Sequence, residues 1–218
     1  MSRFNVFVMV MAAVLLLAGC EQFFSTNVFS GLQRDPSNLS FDQQVAYAES
    51  ALNSGDKDAQ ADAYDALAKS LEDENNTDPE LNELAAELAI GASGLSDTVP
   101  DLAEAALDGN FSSQADLENA LDDKLDDVDY GYVDEAESQL EKIKENGGEV
   151  SEEQYVFVAA GKLMNKADEE GGVGNLDSGN TGDEQQFVED AITDLESRDE
   201  SSDLLNDLKS MYDDLPNS

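Results

Sequence analysis

The chain of 218 residues contains no histidine, no tryptophan and a single cysteine, Cys20. Histidine is the most common metal ligand and the most common general base near neutral pH, so its absence removes the usual route to an activated nucleophile. One cysteine can form neither an internal disulfide nor a zinc site built from several thiolates. These absences favour a protein that is not an enzyme, and no cofactor is expected.

Positive charge is also scarce, because 11 Lys and Arg residues face 50 Asp and Glu residues, which gives a formal net charge of −39. No basic patch is available to neutralise phosphates, so nucleic-acid binding is not expected. Self-repulsion of this size opposes compaction at low ionic strength, and salt screens it. The composition therefore favours adaptation to a saline environment. The alternative is an acidic surface that meets cations or a basic partner.

The first 20 residues combine a positive start, an apolar run and an ending in small residues. Arg3 precedes the run 6–17, which is too short and wrongly flanked for a stable membrane span. The N-terminus resembles that of bacterial lipoproteins, since all four positions of a lipobox are matched by Leu17, Ala18, Gly19 and Cys20. An ordinary secretory signal with a chance cysteine, or an uncleaved anchor, is the alternative.

The resemblance implies a defined processing of the N-terminus. Cys20 would receive a diacylglyceryl group on its sulfur, residues 1–19 would be removed as a signal peptide, and the new amine would be acylated as well. Removal of Arg3, the one charged residue in 1–19, changes the net charge from −39 to −40. Two or more acyl chains hold a protein stably on a membrane. The expected location is the cell envelope outside the cytoplasm, and Glu21 favours an outer membrane.

Residues 20–40 are predicted to form a flexible tether between the lipid and an acidic helical domain that spans 41–218. The tether is rich in Ser, Asn and Gly and lacks helical periodicity. Its apolar residues are unusual in a solvated linker and are expected either at the bilayer interface or against the first helices: Phe23, Phe24, Val28 and Phe29.

From Phe41 onward apolar residues recur at helical spacing, and no segment alternates as a strand does. Asp78 before Pro79 is a helix-start signal, Ser151 is a second one, and Gly147 with Gly148 is a stop signal. About eight or nine helices of 10–18 residues are predicted from these patterns. The apolar residues that mark these helices span 45–52, 64–71, 81–88, 102–106, 117–128, 133–143, 156–164, 188–195 and 204–215.

The fold class is therefore all-α, either a helical bundle or a short stack of helix pairs. The region 41–108 resembles tetratricopeptide-type repeats in its paired, Ala-rich helices. It departs from that pattern because its first helix has no Trp and no Leu-Gly pair, and because Pro79 is out of register with Tyr64 and Ala68. The resemblance implies a scaffold for protein–protein interaction.

Two stretches are weak candidates for a calcium site. Asp126 and Glu137 stand at positions 1 and 12 of an EF-hand loop with Gly131 at position 6, but Val128 and Tyr130 occupy positions that need oxygen ligands. The segment 117–128 also has the pattern of a continuous helix. The second stretch, 175–184, is rich in oxygen ligands and includes Asp177 and Asp183, as a solvated loop also would.

The function expected from these patterns is that of a non-enzymatic lipoprotein of the cell envelope. It would be held on a membrane through the lipid on Cys20 and would present its helical body to another envelope protein, as an assembly or transporter-accessory factor. The alternative is a lipoprotein that binds a ligand such as Ca²⁺ or a small molecule. A hydrolase that works through paired carboxylates is a third hypothesis, although 50 acids make close pairs inevitable by chance. The aromatic residues on apolar helix faces are expected in the core: Tyr47, Tyr64, Tyr130, Tyr132, Tyr155 and Phe157.

Overall fold

The computed structural model describes residues 35–73, 77–98, 124, 126–171 and 182–198, together with 205, 206 and 209. Every regular element in this part of the chain is helical, which confirms the all-α prediction. A 3-10 helix, Pro36–Asn38, is followed by α1 (Phe41–Ser54), α2 (Lys57–Asp73), α3 (Pro79–Ser93), α4 (Tyr130–Glu145), α5 (Glu152–Glu169) and α6 (Gly182–Ser197). The helix predicted around 102–106 and most of those predicted over 117–128 and 204–215 lie outside the described residues.

The chain divides into two compact units. The N-terminal unit contains the described residues of Glu21–Leu95 and of Gly131–Val150, and so holds α1, α2, α3 and nearly all of α4. The C-terminal unit contains the described residues of Ser96–Tyr130 and Ser151–Ser218, and so holds α5 and α6. The chain thus leaves the N-terminal unit after α3 and returns to it for α4.

The helix-start and helix-stop signals of the sequence are confirmed. The side chain of Asp78 accepts a hydrogen bond from the backbone of Glu80, and Pro79 is the first residue of α3. Ser151 accepts from the backbone of Gln154, whose side chain accepts from the backbone of Ser151 in turn.

The glycine pair after α4 ends that helix with a Schellman turn. The Gly148 N–H donates to the Ile143 carbonyl at 2.8 Å, and the Gly147 N–H donates to the Lys144 carbonyl at 3.1 Å. Gly147 has φ +78°, a conformation that other residues adopt only with strain. These signals depend on bonds between neighbours in the chain, which is why the sequence is enough to place them.

Within the N-terminal unit, α2 packs against both α1 and α3. The second half of α3 is buried on all sides, because Ala85, Ala86, Leu88, Ala89 and Ile90 are all at most 6% exposed. Two residues separate α1 from α2, so these helices form a tight hairpin. Small side chains on α3 allow its neighbours to approach closely.

The closest approach is at Gly91 of α3. A methyl group on Gly91 would overlap the side-chain amide of Gln60 on α2. Gln60 is 5% exposed and donates through Nε2 to the Leu52 carbonyl, 3.4 Å away in the last turn of α1. The missing side chain of Gly91 therefore makes room for an amide that connects α2 to α1.

The buried face of α1 differs from the apolar face formed by Val45, Ala48 and Leu52, which the i, i+3, i+7 spacing predicts to be buried. Gln44, Ala48 and Ala51 are buried, whereas Val45 and Leu52 are half-buried. A polar residue occupies the core side because both ends of its amide are hydrogen-bonded. Gln44 Oε1 accepts from Ser70 Oγ on α2 at 2.6 Å, and its Nε2 donates to the Pro36 carbonyl at 3.3 Å.

The last residues of the expected tether over 20–40 are not a free linker in the structure. Pro36–Asn38 form the 3-10 helix, which packs against α1 and α2. Asp35 starts it by accepting a hydrogen bond from the Ser37 N–H, a local bond that the search for apolar periodicity does not detect. The earlier part of the tether lies outside the described residues.

In the C-terminal unit, α5 packs against α6. The contact face of α6 follows the predicted spacing, with Val188, Ala191 and Leu195 all 0% exposed.

The helix predicted over 117–128 does not reach its expected end, because residues 126 and 127 form a turn and 128 and 129 are not helical. Among the residues that the structure describes, no helix is both long enough and apolar enough to span a membrane.

Candidate functional site

Five polar residues of the N-terminal unit form a cluster between α2 and α4. Tyr64 and Asp65 are neighbours on α2, and Tyr132, Glu135 and Gln139 belong to α4. The three α4 residues are spaced i, i+3, i+7 and therefore lie on one face of that helix. We call this group the α2–α4 cluster.

Hydrogen bonds connect the two helices in both directions across the cluster. Tyr64 Oη on α2 donates to Glu135 Oε2 on α4 at 2.6 Å. Tyr132 Oη on α4 donates to Asp65 Oδ1 on α2 at 3.3 Å. Each helix thus supplies one phenol and one carboxylate.

The two tyrosine rings also contact each other. Their centroids are 5.7 Å apart and their planes are at 88°, the edge-to-face arrangement that aromatic pairs favour. The ring contact adds aromatic packing to the hydrogen bonds between α2 and α4.

The cluster runs from solvent into the core. Asp65 and Glu135 are exposed and Tyr132 is half-buried, whereas Tyr64 is 3% exposed and Gln139 is 1% exposed. Burial raises the pKa of the Tyr64 hydroxyl, and its hydrogen bond to Glu135 raises that pKa further. Tyr64 is therefore a neutral hydrogen-bond donor throughout the physiological pH range.

Only one end of the Gln139 side-chain amide has a hydrogen-bond partner. Its Nε2 donates to Tyr64 Oη at 3.2 Å. Its Oε1 is buried and has no partner, and it is the one side-chain oxygen or nitrogen in that position within the described part of the chain. A buried acceptor without a donor costs about 1–3 kcal/mol.

The orientation of this amide is fixed by its neighbour. A tyrosine hydroxyl has one hydrogen, and Tyr64 donates it to Glu135, so toward Gln139 the hydroxyl oxygen can only accept. The NH₂ group of Gln139 must therefore face Tyr64, and the unpartnered atom is the oxygen.

A related tyrosine–carboxylate pair lies in the C-terminal unit. Tyr155 Oη on α5 donates to Asp194 Oδ2 on α6 at 2.7 Å, and Arg198 forms an ion pair with the same carboxylate. Burial raises the pKa of Tyr155, and the hydrogen bond to Asp194 adds to that rise. Beside it, Phe187 lies edge-on to Tyr155 with 6.1 Å between centroids, and Lys162 Nζ lies 5.7 Å from the Phe187 centroid.

The two pairs differ in how the carboxylate charge is balanced. Asp194 has the guanidinium of Arg198 as its counter-ion. No Lys or Arg among the described residues forms an ion pair with Glu135 or Asp65. The α2–α4 cluster therefore combines two carboxylates, two phenols and an unsatisfied amide oxygen without a cationic side chain.

Among the described residues, Asp126 and Glu137 of the first calcium candidate do not form an EF-hand loop, and most of the second candidate lies outside the described residues. Asp126 lies in a turn, but the chain is helical from Tyr130 onward, so Glu137 belongs to α4 and positions 5 to 12 of an EF-hand loop are helix instead. Asp183 is exposed in the first turn of α6, and Asp177 lies outside the described residues. No three His, Cys, Asp or Glu side chains in the described ranges are grouped so that they could hold a metal ion.

The lipobox residues Leu17, Ala18, Gly19 and Cys20 also lie outside the described residues. Of the aromatic residues expected in the core, Tyr64, Tyr155 and Phe157 are buried, and Tyr47, Tyr130 and Tyr132 are half-buried.

No protein family, curated protein or solved structure matches this chain.

Proposed function

We propose that this protein is a lipid-anchored component of a bacterial cell envelope whose helical body serves as a scaffold for another envelope protein. The proposal depends on one observation, the sequence Leu17-Ala18-Gly19-Cys20 at the end of a short apolar run. Lipid on Cys20 would keep the acidic helical region outside the cytoplasm and close to a membrane surface.

Two features of the helical region support a scaffold. The helices of the N-terminal unit are connected as a tight hairpin, α1 with α2, and α2 then packs against α3. A helix hairpin with a third helix packed on it is the kind of unit that repeat proteins stack into extended surfaces for binding proteins. In the two polar groups described above, the tyrosine hydroxyls join helices to one another, as a structural framework requires.

Metabolic labelling with a radioactive fatty acid tests the anchor. The full chain should incorporate label and sediment with membranes, and Cys20→Ala should lose the label and accumulate either uncleaved or released. Ser25→Ala, five residues further along the tether, is the matched control and should label normally. Equal labelling of Cys20→Ala and of the unmodified chain would rule out the lipid anchor.

Photo-crosslinking in intact cells tests the scaffold. A photoreactive amino acid would be placed at an exposed position of α1, Glu49, and at one of α6, Glu189. One envelope protein should be captured in constant proportion, and the adduct should disappear when Cys20→Ala releases the chain from the membrane. Two results would contradict the proposal. One is the absence of any crosslinked adduct, and the other is a mixture of adducts in which each protein is captured in proportion to its abundance.

A further inference from the structure

The unsatisfied oxygen of Gln139 needs a partner that donates positive charge or a hydrogen. In the N-terminal unit its own NH₂ group is committed to Tyr64, and Tyr64 has committed its single hydrogen to Glu135. The one donor hydrogen left in the cluster is the second N–H of Gln139 itself, which cannot reach the oxygen of its own amide, and carboxylates are acceptors only. The oxygen therefore calls for a group that the described residues do not supply.

The other residues of the α2–α4 cluster contribute further hydrogen-bond acceptors. Glu135 lies one helical turn before Gln139 on the same face of α4, and Tyr64 Oη retains one lone pair after accepting from Gln139. The second carboxylate, Asp65, lies next to Tyr64 in the chain and accepts from Tyr132. The cluster thus concentrates oxygen atoms and two negative charges, with no cationic side chain among the described residues paired to either carboxylate.

We infer that the α2–α4 cluster is a binding site for one alkali-metal cation, Na⁺ or K⁺, with Gln139 Oε1 as its buried ligand and Glu135 and Tyr64 as further oxygen ligands. A bound cation satisfies the amide oxygen and neutralises a carboxylate at the same time. Because Glu135 and Asp65 are exposed while Gln139 is buried, the ion enters from solvent along the face of the cluster.

The ligand types favour a monovalent ion over a divalent one. Ca²⁺ takes 6–8 oxygen ligands and usually several carboxylates, and Mg²⁺ gives up its water reluctantly. The cluster instead offers neutral amide and phenol oxygens, and each of its two carboxylates already accepts a hydrogen bond from a tyrosine. Such ligands suit an ion that is abundant, loosely hydrated and weakly held.

Ion binding makes the packing of α4 against α2 depend on the concentration of Na⁺ or K⁺ in the medium. Tyr64 and Asp65 are on α2 and Glu135 and Gln139 are on α4, so an ion held by both sides stabilises their contact. This effect is specific and saturable, and it adds to the general screening that any salt provides. The inference is independent of the lipid anchor and of the envelope partner proposed above.

The test is thermal unfolding of the full chain in nonionic detergent at a constant ionic strength of about 1 M, where the Debye length is about 3 Å for any monovalent salt. The salts are NaCl, KCl and tetramethylammonium chloride, whose cation is too large for the cluster. An alkali cation should raise Tm by at least about 3 °C over tetramethylammonium, as expected for a site that is mostly occupied.

Two variants separate the site from general effects of the salts. Gln139→Met replaces the amide with an apolar side chain of similar size and should abolish the difference between the cations. Gln44→Met is the matched control, since Gln44 is equally a buried glutamine but has both ends of its amide hydrogen-bonded. It should lower Tm in every salt and keep the difference.

A direct measurement of binding guards against a variant that folds poorly. The ²³Na resonance should broaden in the presence of the unmodified chain and sharpen when K⁺ is added. Gln44→Met should broaden it as the unmodified chain does, and Gln139→Met should broaden it less. Equal Tm values in the three salts, or equal broadening by the two variants, would overturn the inference and assign the Gln139 oxygen to a buried water molecule.

Discussion

Tyr64 of α2 and Tyr132 of α4 each donate a hydroxyl hydrogen to a carboxylate on the other's helix, while their rings meet edge to face. The arrangement is reciprocal, because Tyr64 bonds Glu135 and Tyr132 bonds Asp65. In a chain with 50 acids and 11 basic residues, most carboxylates must do without a salt bridge. Tyrosine supplies a neutral donor that joins helices and needs no lysine or arginine.

Tyr64→Phe is expected to destabilise the N-terminal unit. The substitution keeps the ring but removes the hydrogen bond to Glu135 and leaves Gln139 Nε2 without its acceptor. Since Glu135 is exposed and can be rehydrated, we expect a loss of about 1–2 kcal/mol in the free energy of unfolding, measured by urea denaturation. Tyr47→Phe on α1 is the control and should change little, because Tyr47 is half-buried and has no hydroxyl hydrogen bond among the described residues. Equal effects of the two changes would mean that the Tyr64 bond is not stabilising.

Gly91→Ala is expected to be destabilising although alanine is the better helix former. The added methyl group would overlap the amide of Gln60, which connects α2 to α1. Overpacking of a buried contact costs about 1–3 kcal/mol, more than the roughly 1 kcal/mol that alanine gains over glycine in a helix. Gly182→Ala is the matched control, because nothing lies within 4 Å of the position of its added carbon. It should be neutral or slightly stabilising in the same denaturation experiment, and a stable Gly91→Ala protein would show that Gln60 moves without cost.

Stability should fall as pH rises above about 10. Burial and carboxylate hydrogen bonds raise the pKa of Tyr64 and of Tyr155 above the value of about 10 that tyrosine has in an unfolded chain. Above pH 10 the unfolded state therefore loses protons that the folded state keeps, so the stabilisation present below pH 10 is progressively lost. Tyrosinate absorbance at 295 nm should rise together with the loss of helical circular dichroism.

The share of Tyr64 in this alkaline transition can be measured by difference. Each such tyrosine contributes up to about 1.4 kcal/mol per pH unit to the slope of unfolding free energy against pH. Tyr64→Phe should make that slope shallower by about this amount between pH 10 and 12. An unchanged slope would indicate that Tyr64 ionises as freely in the folded chain as in the unfolded one.

Salt of any kind should stabilise the whole protein. A net charge of −39 favours the unfolded chain, in which the charges lie further apart. The Debye length falls from about 30 Å at 0.01 M to about 10 Å at 0.1 M, so Tm should rise most steeply over the first few tenths molar NaCl. Ca²⁺ should add little once ionic strength is matched with NaCl. A Tm that does not respond to salt would contradict the saline-adaptation hypothesis, and a rise of several degrees with micromolar Ca²⁺ would require a specific calcium site.

The sequence predicts the helices well because their signals are local. The apolar positions Val133, Ala136, Leu140 and Ile143 are all buried, and Asp78, Ser151 and Gly147 act where expected. Each of these signals involves residues within a few positions of one another. The buried face of α1 was harder to predict, because the burial of Gln44 depends on Ser70, which is 26 residues away.

The α2–α4 cluster could not be predicted from local spacing. Nothing in the sequence shows that Tyr64 contacts Glu135, since the two residues are 71 positions apart and α3 lies between their helices in the chain. One signal was present nevertheless. Gln139 lies three residues after Ala136 and next to Leu140, inside the apolar stripe of α4, and a polar residue at a core position indicates a specific partner.

The return of α4 to the N-terminal unit has a consequence for how the protein is made. A growing chain of about 100 residues already contains the residues of α1, α2 and α3. It does not yet contain Glu135 or Gln139, so the hydrogen bonds of Tyr64 to these residues cannot form. Closing a loop of this length is entropically costly and slows folding. If the chain is exported as an unfolded thread, its first three helices emerge incomplete and stay exposed to proteases until the later segment follows. A product that stops between 96 and 130 would therefore be an unfinished core and should be degraded, rather than persist as a small stable domain.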